Sequence, residues 1–147
     1  MIRGEFPPRW TPHPFLEVAV ALPGLSPDWS LVRFLVDSGA ATTSIHPADA
    51  VRRLGLVPAA LDPSSWNPTD IRLASGIGGG ARYLEVTASF AFFDDEVGWI
   101  ELHGTVQLSE FRHDNQHIPS LLGLDVLRHF TMTMNGKAQS LDFEWMG

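Results

Sequence analysis

The sequence predicts a single domain that is built mainly from β-strands. Thirteen glycines and 11 prolines in 147 residues imply many turns and disfavour an all-helical fold. Apolar residues recur at every second position in several stretches, most clearly between Leu84 and Phe92, which is the spacing of a half-buried strand. Only two short segments, which begin near Pro47 and Leu124, have helical features. The expected architecture is therefore seven or eight short strands with one or two short helices.

The composition excludes several classes of protein. Apolar residues make up 44% of the chain and charged residues 18%, which supplies a core and excludes a mainly disordered protein. The net charge of −7 argues against a basic nucleic-acid-binding domain. Without cysteine, the chain has no disulfide, no thiol nucleophile and no cysteine-ligated metal. No apolar run is long enough to cross a membrane and no signal peptide is recognisable, so we expect a cytoplasmic protein without membrane contacts.

The first half of the chain reads as an arm, two strands and a helix. Residues 1–14 are rich in proline and are interpreted as an N-terminal arm or an extended edge segment, with the folded domain spanning 15–147. Residues 15–22 form a strand that ends at Pro23-Gly24, and residues 31–36 form a second strand. Pro47 suits the first turn of a helix that ends before Gly55. Four prolines between residues 56 and 70 indicate a loop.

The second half reads as two hairpins with a short helix between them. Alternating residues from 71 to 74 and from 84 to 92 flank a glycine cluster at 76–80, which predicts a hairpin with a glycine tip. Asp94-Asp95-Glu96 is interpreted as a solvated turn before a strand at 99–108. Residues 124–129 are long enough for about two helical turns. Asn135-Gly136 then predicts a second hairpin, between strands at 130–134 and 140–145.

Asp37 is the strongest candidate for a catalytic residue. It follows the apolar residues 34–36 and precedes a turn of small residues, Ser38, Gly39 and Ala40. A carboxylate at the end of a buried strand is costly unless it is hydrogen-bonded or shares a proton. The alternative is an aspartate that caps its own turn, because Asp-Ser-Gly is common turn chemistry.

Three segments in order resemble retropepsin-like aspartic proteases. Residues 34–40, Phe-Leu-Val-Asp-Ser-Gly-Ala, are similar to the catalytic turn of that family. Residues 121–123, Leu-Leu-Gly, are similar to its apolar-apolar-Gly strand, which precedes a short helix. Gly76-Ile77-Gly78-Gly79 is similar to the tip of its flap. The sequence of residues 123–128, Gly-Leu-Asp-Val-Leu-Arg, most resembles that of cellular and bacterial single-domain members.

The resemblance implies a retropepsin-like fold and an aspartic endopeptidase. Asp37 would be the catalytic residue, Ser38 and Gly39 would support its turn, and Ala40 with the flap residues Gly76, Ile77, Gly78 and Gly79 would contact the polypeptide substrate. The family needs no cofactor or metal. Ala41 and Thr42 stand where viral members have acidic residues, and Leu124 stands where they have an arginine that braces the dimer. Substrate preference and dimer bracing therefore do not carry over.

The chemistry of such a site requires two chains. A pair of carboxylates that share one proton can activate water and polarise the scissile carbonyl. The chain has one Asp-[Ser/Thr]-Gly, so a two-fold homodimer with its axis between the two Asp37 side chains is expected. Its interface is expected to include the Asp37 turns and the alternating residues Leu141, Phe143 and Trp145. The alternative function is a non-catalytic dimerisation or peptide-binding module on the same fold.

Other motifs receive weaker interpretations. Gly76-x-Gly78-x-x-Ala81 matches a dinucleotide fingerprint on paper, but that motif needs a helix where a strand is predicted. His113 and His117 have metal-ligand spacing, but their neighbours lack a helical apolar face, so a solvated loop is favoured. Asp125 is interpreted as a cap of the helix that follows Gly123.

Overall fold

A computed structural model of the chain describes residues 1–6, 13–74 and 80–147. Strands hold 51% of the residues and helices 17%, which confirms the mainly β class. The strands are β1 (Ile2–Arg3), β2 (Phe15–Leu22), β3 (Ser26–Val36), β4 (Ser44–Ile45), β5 (Ile71–Ala74), β6 (Ala81–Asp94), β7 (Gly98–Ser109), β8 (Ser120–Leu122), β9 (Phe130–Asn135) and β10 (Ser140–Trp145). The helices are α1 (Pro47–Arg52) and α2 (Leu124–Leu127), with 3₁₀ turns at Pro58–Leu61, Pro63–Ser65, Pro68–Asp70 and His113–Asn115.

Six strands close into a barrel, in the order β2-β3-β8-β4-β7-β6. The closure is made by β6, which pairs with β2 at Ala19 and Ala91 as well as with β7 along its length. Most pairs are antiparallel, but β3–β8 and β4–β7 are parallel. Parallel pairing lets two distant segments leave the barrel in the same direction, and this positions the candidate site.

The strand β5 extends the sheet beyond the barrel. It pairs with the first four residues of β6, so the two strands form the predicted hairpin. The glycine tip of that hairpin, including Gly76, Ile77, Gly78 and Gly79, lies outside the described residues. Its base is fixed by Arg112, whose Nη1 donates a hydrogen bond of 2.9 Å to the carbonyl of Gly80.

A second sheet of three strands, β1-β10-β9, packs on the barrel. Phe130 of β9 lies 5.0 Å from Phe92 of the barrel and 6.1 Å from Phe143 of β10, measured between ring centres. Burying aromatic rings of this size stabilises the fold by roughly 1.5–3 kcal/mol each. The residues at the start of the chain join this sheet, because Ile2 pairs with Phe143 and is buried.

The position of β10 corrects its expected role in the dimer interface. Leu141 and Phe143 are 2% and 0% exposed, so their apolar side chains already lie in the core of their own chain. Both edges of β10 are hydrogen-bonded, one to β1 and the other to β9. The side chains of Leu141 and Phe143 therefore lie in the core and not on the surface of the chain, and Trp145, whose ring lies 5.5 Å from that of Phe130, packs on the same core.

The hairpin predicted around Asn135-Gly136 is confirmed, because β9 and β10 pair along their whole length. Ser140 pairs with Asn135, so the connection consists of the four residues 136–139. Asn135 Oδ1 accepts a hydrogen bond from the amide of Ala138, and Gln139 adopts a φ of 50°. A longer turn with an Asn side chain as acceptor satisfies the backbone without a tight two-residue loop.

Asp94 is not solvated, which corrects the interpretation of the turn at 94–96. Its side chain is 7% exposed and lies 2.8 Å from the amino group of Met1. The amides of Glu96 and Val97 also donate to Asp94 Oδ1. The hydrogen bond from the amino group, followed by those from the two amides, lowers the pKa of Asp94 to about 2. Asp95 and Glu96 remain exposed, as predicted.

The remaining elements follow the sequence closely. The helix α1 begins at Pro47, and Gly55 just beyond it adopts a φ of 70°, which glycine tolerates without strain. The strand β3 begins at Ser26, five residues before the predicted start, because β2 and β3 pair down to their connecting turn. The helix α2 is one turn long, shorter than predicted. In the described part of the chain, no helix has the length and hydropathy needed to cross a membrane.

Candidate active site

Asp37 lies where two parallel strands end side by side. In the parallel pair β3–β8, Leu35 is opposite Leu121 and Val36 is opposite Leu122. The amide of Asp37 donates a hydrogen bond of 3.0 Å to the carbonyl of Leu122, which continues the pairing by one residue. The structure therefore brings together the two segments that the sequence singled out, the turn at 37–40 and the strand at 121–123.

The turn after Asp37 is closed by its own carboxylate. The amide of Gly39 donates a hydrogen bond of 2.9 Å to Asp37 Oδ1, and the amide of Ala40 donates to the carbonyl of Asp37 at 3.2 Å. A Cβ on residue 39 would lie 3.1 Å from Asp37 Oδ1, so a larger residue there would press on the carboxylate. No described residue donates to Asp37 Oδ2, which leaves that oxygen for another group.

Ser38 and Ala40 flank the carboxylate at the surface. Ser38 is exposed, and its hydroxyl makes no hydrogen bond to any described residue of the chain. Within one chain, the turn is therefore held by the amides of Gly39 and Ala40 rather than by the Ser38 hydroxyl. Ala40 is half-buried, and its carbonyl accepts a hydrogen bond of 2.8 Å from the amide of Leu124.

Gly123 is required by the close crossing of the two segments. A Cβ on this residue would lie 2.6 Å from the carbonyl carbon and oxygen of Thr42 and 2.9 Å from the carbonyl oxygen of Ala40. These contacts are with backbone atoms, which cannot turn aside as a side chain can. Glycine is thus the only residue type that fits at position 123, because any side chain would separate the segments that hold Asp37.

Thr43 and Asp125 lock this crossing, and the sequence analysis missed the role of both. The amide and the hydroxyl of Thr43 donate to the two carboxylate oxygens of Asp125, at 3.0 and 2.7 Å. The hydroxyl of Thr43 also accepts a hydrogen bond from the amide of Gly123 at 3.0 Å. Thr43 is fully buried, and its bond to the Gly123 amide is shielded from water, whereas Asp125 is half-buried. In the sequence, the one feature that could have indicated these roles is that Thr43 lies shortly after Asp37 and Asp125 lies shortly after Gly123.

Asp125 is therefore not the cap of α2, which corrects its predicted role. The N-cap position of α2 is occupied by Gly123, and Asp125 is the second helical residue. One of its oxygens does accept a hydrogen bond from the amide of Val126, at 2.9 Å. Its other contacts go to Thr43, because the parallel strands place that residue next to the start of the helix.

A cavity of 310 Å³ opens beside Asp37. Residues from the turn, from β4, from the hairpin β5–β6, from β7 and from β8 line it: Asp37, Gly39, Ala40, Ala41, Thr42, Ser44, Ala74, Tyr83, Gln107 and Leu121. Ala74 and Tyr83 belong to the base of the hairpin, so this hairpin forms one wall of the cavity. A polypeptide that contacts Asp37 would thus also contact the hairpin.

A buried histidine supports the wall that Tyr83 forms. His46 is 1% exposed, and its Nε2 lies 3.2 Å from the hydroxyl oxygen of Tyr83. Burial lowers the pKa of His46 to about 4, although the nearby backbone of Pro119 opposes this shift. Burial also raises the pKa of Tyr83. Both side chains are therefore neutral near pH 7, and they fix the shape of this wall rather than its charge.

The two histidines with metal-ligand spacing lie in an exposed part of the chain. His113 begins a 3₁₀ turn, and His117 follows it, with both side chains exposed. Among the residues that the structure describes, no three His, Asp or Glu side chains come close enough together to hold a metal ion.

Comparison with known proteins gives no assignment: no protein-family model matches the chain, and no curated protein matches its sequence.

Proposed function

We propose that the protein is an aspartic endopeptidase of the retropepsin-like type, in which two copies of the chain each supply Asp37. The observation that carries this proposal is the position of the Asp37 carboxylate. It stands at the edge of a 310 Å³ cavity, with one oxygen held by the amide of Gly39 and the other free of described partners. The crossing of the 37–43 and 121–125 segments holds it there.

A second copy is needed because the cavity of one chain holds one carboxylate. Among the residues that the structure describes, Asp37 is the only acidic one that lines the cavity. The surface around it is open, since Ser38, Gly39 and Ala41 are exposed and Leu124 is 45% exposed beside them. A two-fold axis at this surface would place the two Asp37 side chains together.

In the proposed reaction the two Asp37 carboxyl groups share one proton. The ionised group accepts a proton from a water molecule while the water oxygen attacks the scissile carbonyl carbon. The protonated group donates its proton to the carbonyl oxygen, so the tetrahedral intermediate carries two hydroxyl groups. The proton taken from water then passes to the peptide nitrogen. As the C–N bond breaks, one hydroxyl of the intermediate returns its proton to the other Asp37 carboxylate, so a carboxyl group and an amine are released and the pair again holds one proton.

The hairpin β5–β6 would act as the flap over the substrate. Its base forms one wall of the cavity through Ala74 and Tyr83, and the glycine-rich sequence of its tip suits a segment that closes over an extended chain. Closure of such a hairpin would exclude bulk water from the reacting groups and present backbone groups to the peptide.

The second candidate function is a peptide-binding or dimerisation module without catalysis. The neutral residues Ala41 and Thr42, which follow the turn, favour it because they offer a peptide backbone no carboxylate acceptor. The two functions share the cavity and the dimer, and they differ only in whether bound peptide is cleaved.

The test is cleavage of an unstructured polypeptide by the wild-type protein and by Asp37→Asn. We expect the wild type to cleave between about pH 3.5 and 7, the range in which a carboxylate pair can hold one proton. Asp37→Asn should abolish cleavage while the circular dichroism spectrum and the dimer persist, because the amide keeps the size of the side chain. Asp28→Asn, an exposed change on the same strand, is the matched control and should retain full activity.

Two outcomes would contradict the protease. A folded dimeric wild type that binds peptides but cleaves none across this pH range would favour the binding module. Cleavage that persists in Asp37→Asn would exclude the proposed mechanism.

A further inference from the structure

The cavity beside Asp37 has an unusual polar wall. Ser44 of β4 and Gln107 of β7 are register partners in the parallel pair of these strands, and both side chains line the cavity. Neighbouring strands lie about 4.8 Å apart, so the two side chains stand next to each other. The apolar part of the lining includes Ala40, Ala74 and Leu121, and Leu121 is the register partner of Ser44 in the antiparallel pair β4–β8.

The hydrogen bonds of this wall leave one donor group and one hydroxyl unused. The hydroxyl of Thr42 donates to Gln107 Oε1 at 3.4 Å, which turns the amide nitrogen of Gln107 away from Thr42. No described residue accepts from Gln107 Nε2 or bonds to Ser44 Oγ, although Ser44 is only 6% exposed. The hydroxyl oxygen of Tyr83, another residue of the lining, lies 3.2 Å from His46 Nε2.

We infer that this wall selects a primary carboxamide side chain, asparagine or glutamine, in a substrate residue near the scissile bond. The carbonyl oxygen of the substrate amide would accept from Gln107 Nε2, and its NH₂ group would donate to Ser44 Oγ. The methylene groups of the same side chain would pack on Ala40 and Leu121. This inference rests on the proposed function and names the substrate residue that its site prefers.

Other substrate side chains would satisfy fewer of the hydrogen-bonding groups of this wall. An aliphatic side chain would cover Gln107 Nε2 and Ser44 Oγ without bonding to them, and an unsatisfied buried polar group costs about 1–3 kcal/mol. A substrate carboxylate would meet no Lys, Arg or His in the lining and would lie near Asp37. An amide alone supplies both an acceptor and a donor without adding charge.

The first measurement is binding, made on Asp37→Asn so that no peptide is consumed. A library of eight-residue peptides, each randomised at one position at a time, is incubated with this protein, and the bound fraction is sequenced. We expect Asn and Gln to be enriched at least about tenfold over Leu at one position on each side of the centre, because each chain of the dimer carries one cavity. Asp should be depleted relative to Asn.

Two variants in the same background assign the preference to the wall. Gln107→Leu should reduce the ratio of Asn to Leu by about tenfold or more, and Ser44→Ala should reduce it less. Thr105→Val is the matched control, because Thr105 lies two residues away on β7, outside this cavity and exposed. The ratio of bound Asn to bound Leu peptides for this control should equal that of Asp37→Asn alone.

The second measurement is cleavage by the wild type of matched peptides that differ only in Asn or Leu at the selected position. A preference for Asn in both binding and kcat/KM supports the inference. Equal or stronger binding of Leu, or an Asn preference that Gln107→Leu leaves unchanged, overturns it even if both peptides are cleaved. Binding that prefers Asn without any cleavage supports the polar wall and contradicts the protease. If no peptide binds and none is cleaved, both proposals fall.

Discussion

Thr43 and Asp125 are joined by two hydrogen bonds, although 82 positions separate them in the chain. The backbone amide and the hydroxyl of Thr43 each reach a different carboxylate oxygen, and the same hydroxyl accepts from the amide of Gly123. This one side chain thus ties the segment after Asp37 to the segment after β8. The position of the candidate catalytic carboxylate depends on this link.

Thr43→Val should loosen the crossing without changing the size of the side chain. It leaves the buried Gly123 amide without its acceptor, at a cost of about 1–3 kcal/mol, and it removes one of the two hydrogen bonds that Asp125 Oδ1 accepts. We expect a lower free energy of unfolding in urea titrations and a lower kcat. Thr43→Ser keeps the hydroxyl and should recover most of both. Equal stability of Thr43→Val and wild type would show that the link carries little energy.

Gly123→Ala should be strongly destabilising. Its methyl group would lie 2.6 Å from backbone atoms of Thr42, so the two segments must separate. Overpacking of this kind costs roughly 1–3 kcal/mol or more, and here it also displaces the Asp37 turn. Gly104→Ala is the control, because nothing lies within 4 Å of a Cβ at that position. The measurement is the midpoint of thermal or urea unfolding, and equal midpoints for the two variants would refute the steric argument.

Leu124→Glu should weaken the homodimer. Leu124 is 45% exposed, and its amide is bonded to Ala40 in the turn that carries Asp37. A carboxylate at this place would be desolvated in a dimer and repelled by its symmetry mate. Sedimentation or light scattering should show a shift towards monomer, and activity should fall steeply on dilution. Val97→Glu, an exposed change in the turn between β6 and β7, should alter neither.

Acid should destabilise the protein through His46. Its pKa is about 4 in the folded chain and 6.5 as a free side chain, so the unfolded chain binds the extra proton between these values. The stability is therefore fully present above pH 6.5 and declines as the pH falls towards 4. The difference amounts to about 3 kcal/mol, at about 1.4 kcal/mol per pKa unit.

Urea titrations between pH 4 and 7.5 measure this effect. His46→Gln should lose that part of the pH dependence, whereas His113→Gln, a change at an exposed histidine, should keep it. An unchanged slope in His46→Gln would mean that other groups cause the acid sensitivity.

Activity should depend on pH as a bell-shaped curve. A pair of carboxyl groups catalyses only while it holds one proton, so activity falls both when the second proton binds and when the last one leaves. Initial rates measured at protein concentrations above the dimer dissociation constant give this curve. A rate that keeps rising above about pH 8 would be inconsistent with a shared proton.

Some features were determined by the sequence because they depend on neighbouring residues alone. The alternation from Leu84 to Phe92 predicted a strand, since side chains at every second position share one face. Pro47 marked the start of α1, because its ring fixes a helical φ and its missing amide hydrogen is not needed there. The apolar residues before Asp37 and the small residues after it likewise predicted a strand followed by a tight turn.

The partners of these elements were decided only by the tertiary structure. Periodicity shows which side of a strand is buried but not which strand lies beside it, so the closure of the barrel at Ala19 and Ala91 was not predictable from either segment. The same holds for β10, whose apolar face could have met a second chain but packs in its own core. Thr43, Asp94 and Asp125 look like ordinary turn or cap residues, because a polar side chain carries no local mark of a distant partner. Their roles arise where the folded backbone places a donor and an acceptor together from segments that are distant in the sequence.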